Sequence, residues 1–558
     1  MAKHQKALAM LNRPTGLALL AALAAMLLAA PIVSVGSNIF SGGTADTWAH
    51  LASTVLPDYI ATTVWLCLGV GLCAALLGVG AAWLVTHFDF PMRRTFEWAL
   101  LLPLAMPAYV AAYAYTDLLQ FSGPVQSALR ASMGWARADY LFPDVRSLGG
   151  AVLMFAAVLY PYVYMLARTA FIERGAGLLE AGRSLGLSPW RGLLRITLPM
   201  ARPAIMAGVA LVLMETLADY GTVSYFAVQT FTTGIYRAWF SLGDRIAAAQ
   251  LAMCLLGVVL LLLAIERLSR GRARFAAAGV RRQALRGHPL RGARAAWAVA
   301  GCLLPLLVGF LIPGAVLLRM AVNEGDAQFG PRFIELARNS FGVATLAAVL
   351  AVALALLLAY ARRLAPGRLT RAAHAAAGMG YALPGSVIAV GLLIPLSRMD
   401  NALVQWLENS FGWQGGLLLT GGIAGLVYAY LVRFLTAALQ SVDSALLRIT
   451  PHMDDAARSL GLTPAGALKR VHLPLLRPGL LTAALLVFID VMKELPATLV
   501  MRPFNFDTLA TQAYTLASDE RLAEASTAAL AIVVVGLLPM IILCRQIATE
   551  RRSAKPGV

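Results

Sequence analysis

The sequence predicts an all-α integral membrane protein with twelve transmembrane helices arranged as two parallel six-helix repeats. Three observations predict it. Of 558 residues, 59% are hydrophobic and only 13% charged, about half the charge of an ordinary soluble domain. The chain divides into twelve largely uncharged runs, each near the ~20 residues that cross a hydrocarbon layer. A sentence of sequence near residue 180 also returns 275 residues later without a gap. Disordered, collagen-like and disulfide-scaffold classes are excluded by the same composition.

In the first half the runs lie at approximately 17–35, 62–86, 98–121, 149–171, 203–226 and 246–265. In the second they lie at approximately 295–322, 341–360, 375–396, 416–439, 478–499 and 526–544. An even number returns the C-terminus to the side of the N-terminus. Of the 46 Lys and Arg residues, 32 fall at the termini and in the loops of that side, 10 in the opposite loops, and Arg168, Arg319, Arg433 and Lys493 inside runs. Positive loops stay in the cytoplasm, so both termini of a multi-pass membrane protein are expected there. The net charge of +18 then expresses topology and a lipid-bilayer partner. No aromatic-interleaved basic stripe or separable basic domain points to nucleic acid. The first run follows Lys3, Lys6 and Arg13 and ends near Leu28-Ala29-Ala30-Pro31. Its length favours an uncleaved anchor over a cleaved signal peptide, and later crossings keep their direction in both cases. Cys67, Cys73, Cys254, Cys302 and Cys544 lie within or beside the runs and form no C-x-x-C pair; buried reduced thiols are expected.

The repeat sits in two loops of the cytoplasmic side. Glu180-Ala181-Gly182-Arg183-Ser184-Leu185-Gly186-Leu187-Ser188-Pro189 matches Asp455-Ala456-Ala457-Arg458-Ser459-Leu460-Gly461-Leu462-Thr463-Pro464. The match continues through Leu198-Pro199 and Arg202-Pro203 against Leu473-Pro474 and Arg477-Pro478, with about half the positions from 180 to 205 identical. The chain therefore divides into residues 1–280, with a loop near 180–200, and residues 281–558, with a loop near 455–475. Six crossings per half give both halves one orientation and a pseudo-twofold axis along the membrane normal. Each loop predicts a short helix opened by its acidic residue and broken at Gly186 or Gly461. A second begins at Ser188-Pro189 or Thr463-Pro464 and is stopped by Leu-Pro. Leu185, Leu187, Leu193 and Ile196, or Leu460, Leu462, Leu468 and Val471, form an apolar side. It suits an element wedged into another protein or an elbow lying on lipid headgroups.

The pattern acidic-Ala-Ala/Gly, three residues, Gly, nine residues, Ile/Val, one residue, Leu-Pro resembles the coupling-loop signature of permease subunits of type I ATP-binding-cassette importers. Gly182, Asp455 and Val471 depart slightly from it. The resemblance implies a permease that is not itself an enzyme. It also implies a cytoplasmic ATPase dimer docked on the loops and a periplasmic solute-binding protein. Glu180, Ala181, Gly186, Pro199, Asp455, Ala456, Gly461 and Pro474 would then be docking elements. The chain's own lysines agree: none of Lys3, Lys6, Lys469, Lys493 and Lys555 ends a G-x-x-x-x-G-K-[ST] phosphate loop, so no cofactor is expected in this chain, with ATP and Mg bound by the partner ATPase. H-E-x-x-H and paired C-x-x-C are absent from the sequence too.

The register carries on into spans five and eleven, pairing Glu215 with Asp490 and Asp219 with Glu494. Residues four apart share a helical face, and charge in lipid must find a pathway or a partner. These four carboxylates either line a cation pathway, with Tyr162 and Tyr220 nearby, or lock helices together with Lys493, Arg168 or Arg433. The wording around them, Glu215-Thr216-Leu217-Ala218-Asp219-Tyr220-Gly221 and Asp490-Val491-Met492-Lys493-Glu494-Leu495-Pro496, with Tyr160-Pro161-Tyr162-Val163-Tyr164, resembles the fused-dimer permeases for ferric iron. Thiamine and phosphonate or polyamine relatives share the plan. Fe(III) prefers carboxylate and phenolate oxygen, but no metal site is firmly assigned. A cation-coupled secondary transporter also accommodates two six-span halves and membrane carboxylates; it leaves the duplicated loop without a purpose.

Overall fold

The structure, a computed structural model, describes residues 16–42, 44–174, 187–270, 288–324, 330–412, 415–447 and 449–553. Its principal helices are α1 (Gly16–Ser37), α2 (Leu56–His87), α3 (Ala108–Leu119), α4 (Leu148–Arg174), α5 (Leu198–Ala218), α6 (Gly221–Tyr225), α7 (Arg245–Arg270) and α8 (Ala293–Leu306). They continue as α9 (Ile312–Arg319), α10 (Pro331–Leu364), α11 (Gly385–Phe411), α12 (Ile423–Leu446), α13 (Pro451–Ser459), α14 (Leu473–Met492), α15 (Pro496–Met501) and α16 (Leu522–Ser553). Among the described residues ten helices are long and apolar enough to cross a membrane. The third predicted run falls on a pair, Arg93–Ala105 and Ala108–Met133, bent by 90°. The twelfth falls on α16, whose apolar described part is Leu522–Leu538. An all-helical multi-pass architecture is therefore present, with ten candidate spans among the described residues, or eleven if the bent pair is one.

The break in the third run has a local cause. Before α3 the chain makes a short 3-10 turn, Leu102–Ala105, and enters the helix from Pro107 at φ −62°, ψ 140°. The second half does likewise before α11, with Gly380–Ala382 and Pro384 at φ −58°, ψ 141°. A proline fixes its own φ and pushes the preceding residue into extended geometry, so Met106-Pro107 and Leu383-Pro384 interrupt what hydropathy reads as one rod.

Two compact units emerge, and they do not follow the halves of the sequence. One gathers Ala45–Arg237, Cys254–Gly330 and Gln512–Val558; the other gathers Met1–Thr44, Ala238–Met253 and Pro331–Thr511. The boundary near 280 divides the repeat but not the packing. In the first unit α8, α9 and α16, from the second half, join helices of the first half. A Cβ on Gly309 would sit 2.1 Å from the Ala157 carbonyl oxygen, and one on Gly536 would sit 2.7 Å from that of Ala105. Tyr115 donates to the Val308 carbonyl at 2.7 Å, inside the π-turn Leu307–Leu311. In the second unit α1 lies against α11, where a Cβ on Gly391 would come within 2.6 Å of the Pro31 carbonyl oxygen. Two residues of parallel strand, Phe88–Asp89 with His288–Pro289, pin the start of the second half to the end of α2.

Small residues set helix spacing at both centres, as expected where lipid supplies no hydrophobic drive between helices. A Cβ on Gly78 of α2 would lie 2.7 Å from that of Val163 on α4, and one on Gly208 of α5 would lie 2.8 Å from the Val163 Cα. The counterpart α10, α12 and α14 use buried alanines, among them Ala351, Ala438 and Ala483. Replacing Gly208 by valine is therefore expected to cost about 2 kcal/mol through overpacking. The measurement is the thermal midpoint of the detergent-solubilised protein; a midpoint equal to wild type would mean that α4 and α5 are not in such close contact.

Candidate functional site

The second repeated loop is built as predicted at its break and differently at its ends. Helix α13 opens from Thr450 with Pro451 in its first turn and Asp454 as the first-turn acid. Asp455 is thus not the opening residue, because Thr450-Pro451 already supplies an extended cap and a proline fixed at helical φ. The helix ends on a full Schellman motif. Gly461 takes φ 77°, its N–H bonds Arg458 O at 2.9 Å, and Leu462 N–H bonds Ala457 O at 3.0 Å. Glycine enters the left-handed region without the Cβ penalty. Nothing lies within 4 Å of where a Cβ would stand on Gly461, so the cost of Gly461→Ala is purely conformational, about 1 kcal/mol. That variant should leave the melting of the spans unchanged; a large drop in their thermal midpoint would mean that the break is packed against them.

After the break, Thr463 Oγ1 accepts the Gly466 N–H at 3.1 Å, and Ser188 Oγ accepts the Arg191 N–H at 3.4 Å, 275 residues apart in both members. Leu-Pro does not stop the second short helix in either copy. Pro464–Ala467 runs through a π-turn, Leu468–His472, into α14, and Pro189–Gly192 runs through Leu193–Thr197 into α5. Pro199 and Pro474 are each the second residue of a span helix and both are exposed. A proline removes one N–H and crowds the carbonyl four residues back; the wider π-turn directly before it relieves both.

The exposed side of the elbow carries Asp455, Ala456, Gly461 and Leu460. Leu460, one of the residues of the predicted apolar side, is 81% exposed, because the Schellman turn carries it past the end of the helix. Asp455 pairs with Arg458 across one turn, at 2.5 Å. The residue that fixes the elbow to the membrane helices is its neighbour, Asp454. Its Oδ2 receives Arg363 Nη2 at 2.7 Å and Nε at 3.1 Å, and His472 Nε2 lies 2.8 Å from its Oδ1. Arg363, in the last turn of α10, also donates to the carbonyls of Ile449 and Leu446 at 2.9 and 3.3 Å, closing the C-terminus of α12. Tyr360 donates to the Pro464 carbonyl at 3.1 Å. Sequence reasoning missed Asp454 and Arg363. The available signal was the doubled acid Asp454-Asp455, only one member of which can face outward. Glu180, Ala181 and Gly186 lie outside the described residues.

The four membrane carboxylates are not two pairs on continuous helical faces. Helix α5 ends at Ala218 with Asp219 extended at ψ 137°, and α14 ends at Met492 with Lys493 as its cap. Asp219 and Glu494 stand in the breaks, where each caps the next short helix. Asp219 Oδ1 accepts Thr222 N–H at 2.8 Å and Val223 N–H at 3.4 Å. Glu494 accepts Ala497 N–H at 2.9 Å and Thr498 N–H at 3.0 Å. A carboxylate at a helix N-terminus satisfies donors that lipid would leave bare.

Beyond that shared cap the repeats diverge. Glu494, buried, binds Arg433 at 2.8 Å, with side chains 1% and 12% exposed, and a Cβ on Gly385 would collide with both partners at 2.7 and 2.6 Å. Asp490 pairs with Lys493 at 2.9 Å. The second repeat thus realises the helix-locking arrangement. In the first repeat the position of Lys493 is held by Ala218, and Asp219 stands among tyrosines. Tyr220 stacks on Tyr236 with centroids 3.7 Å apart and lies 5.8 Å from Tyr514. Tyr113 meets Tyr225 edge-on at 4.8 Å. Glu215 is one turn earlier on α5, half-buried. Tyr162 is half-buried on α4 with its carbonyl beside Gly208, while Tyr160 and Tyr164 are fully buried. Of the predicted pathway residues, the structure brings together Asp219 and Tyr220.

Comparison with known proteins agrees with this architecture. Residues 74–274 match the family described as binding-protein-dependent transport system inner membrane component. The chain is 25% identical over 499 residues to the Fe(3+)-transport system permease protein FbpB 2 of Haemophilus influenzae, covering 88% of this chain and 90% of that one. It is 29% identical to the sulfate transport system permease protein CysW of Escherichia coli K12 over 36% of this chain and 66% of that one. It is also 28% identical to the molybdenum transport system permease protein ModB of the same organism over 35% and 87%.

Proposed function

We propose that this chain, whose residues 74–274 match the binding-protein-dependent transport inner-membrane components, is the two-repeat permease of an ATP-driven importer for ferric iron. The observation that carries the importer reading is the elbow. A rigidly anchored helix, ended by Gly461, offers Asp455, Ala456 and Leu460 to a surface outside the chain, and its wording recurs at Glu180–Pro189. A lipid-lying elbow would cover its large apolar residues and leave its charges in water; here Asp455, Arg458 and Leu460 are all exposed on the chain's surface.

In this reading twelve spans place both termini in the cytoplasm. A separate ATPase dimer grips the two elbows, and ATP and Mg bind there. Closure of that dimer moves α5 and α14, each continuous with its elbow through a π-turn, so that docking strain reaches the carboxylate-capped breaks without passing through a hinge. A periplasmic binding protein delivers cargo to the outward-open state, and alternating access follows.

Iron as cargo is supported by likeness to the ferric permease along almost the whole chain, against about one third for the sulfate and molybdenum permeases. The test is reconstitution of the chain with its ATPase and binding protein in vesicles, offered ferric iron, sulfate, molybdate, thiamine and a phosphonate. ATP-dependent iron uptake alone is expected. Uptake driven by a proton gradient without ATP would replace the importer with a secondary transporter, and ATP-driven uptake of another solute would replace the cargo.

A further inference from the structure

We propose that the tyrosine cluster around Tyr113 is a transient binding site for the trivalent cation itself, with the phenol oxygens of Tyr113, Tyr225 and Tyr514 as ligands and Asp219 as the supporting negative charge. The proposal rests on the ferric reading above and adds to it a site within the permease. It begins from a buried group with no structural purpose. Tyr113 is 1% exposed, and its hydroxyl has no hydrogen-bond partner among the described residues. An unsatisfied buried hydroxyl costs about 1–3 kcal/mol, and phenylalanine would avoid that cost.

The surroundings say what the hydroxyl is for. Tyr109 and Tyr225 flank its ring with centroids 5.7 and 4.8 Å away, and Tyr514 packs 5.8 Å from Tyr220, the residue after Asp219; α3, α6, the helix Leu509–Ser518 and the break after α5 bring these groups. Tyr514 Oη lies 2.9 Å from Ser224 Oγ. Among the described residues no group of three His, Cys, Asp or Glu could hold a metal, so the donors here are phenols and one carboxylate. All-oxygen donors with little softness select a hard cation; a carboxylate within the cluster disfavours an oxyanion.

A positive charge already occupies the rim. Arg146 donates to Tyr225 Oη at 2.9 Å, its guanidinium lies 4.6 Å from the centroid of that ring, and it is held bidentately by Glu520 at 2.8 and 3.0 Å. Burial works against its charge, but Glu520 and Tyr225 hold its pKa above the ordinary value. Glu520 itself has φ 60°, a conformation rarely kept by a non-glycine residue unless its surroundings impose it. The Arg146–Glu520 pair thus stands in for the cargo's charge at Tyr225 and must yield when a cation enters. On entry each ligating phenol exchanges its O–H proton for an Fe–O bond and the proton passes to water. Iron stays ferric throughout, so no oxidant or reductant is consumed.

The experiment is spectroscopic. Purified full-length chain in nanodiscs is titrated with ferric nitrilotriacetate while the visible phenolate-to-iron charge-transfer band is recorded. A saturable band of about one equivalent is expected, displaced by gallium(III). Tyr113→Phe and Tyr514→Phe should each weaken binding by about tenfold or more, while Tyr140→Phe, at a tyrosine outside the cluster, should leave the band unchanged. If wild type shows no saturable band although the assembled transporter imports iron, the site is refuted and the cargo assignment stands. If the band is absent and the transporter imports a different solute, both fall. A band that survives in the Tyr113 and Tyr514 variants would place the iron elsewhere and also refute the site. Since the wild-type result alone can refute it, a variant that fails to fold does not shield the proposal.

Discussion

Arg433→Met is expected to destabilise the protein by about 3–5 kcal/mol, since it leaves a buried carboxylate without its cation. The Arg433–Glu494 contact is 2.8 Å long and nearly closed to solvent. The Ala497 and Thr498 amides still solvate Glu494, which favours the lower end of the range. Arg433→Met with Glu494→Gln removes both charges and should recover much of the loss, giving a coupling energy that the single variants cannot give. Asp490→Asn should cost less than about 1 kcal/mol, because its Lys493 partner is one-third exposed and open pairs contribute little. Detergent melting and uptake per folded molecule separate the possibilities. If Arg433→Met melts like wild type and loses only uptake, the pair works on cargo and not on packing.

At the elbow, adjacent acids should behave oppositely. Asp454→Ala cuts the α13 helix from Arg363 and His472, and transport should fall on the order of 10–100-fold, the scale of loss that ~1 Å of misplacement produces. Asp455→Lys leaves that anchor intact and sits on an exposed surface. Combined with Glu180→Lys in the other elbow, it should abolish ATPase stimulation while melting and membrane insertion stay at wild-type levels. Normal transport by the double charge reversal would sink the docking assignment.

The sequence displayed its long apolar helices and the repeated elbow because both are written in local chemistry: runs of Leu, Ala and Val, and a Gly461 that only a left-handed turn requires. What it concealed depends on contacts between distant residues. Helical spacing put Asp219 on the face of Glu215, but the helix ends at Ala218 and the carboxylate caps the following turn. Leu-Pro read as a stop because a proline costs a hydrogen bond; a π-turn absorbed the cost. The similarity of Glu215/Asp219 to Asp490/Glu494 hid their different company, since Arg433 and the tyrosines at 113, 225 and 514 come from other elements. Tyr109 and Tyr113, one helical turn apart, were the readable trace of the cluster.

Each compact body borrows helices across the midpoint of the chain: α1 goes one way, and α8, α9 and α16 the other. Severing the polypeptide just after Arg270 would therefore not liberate two self-sufficient proteins. Each fragment would lack walls that the other carries, and the fragments would be obliged to mature together. Joining them in one reading frame guarantees equal dosage and spares the cell a search for the missing complement.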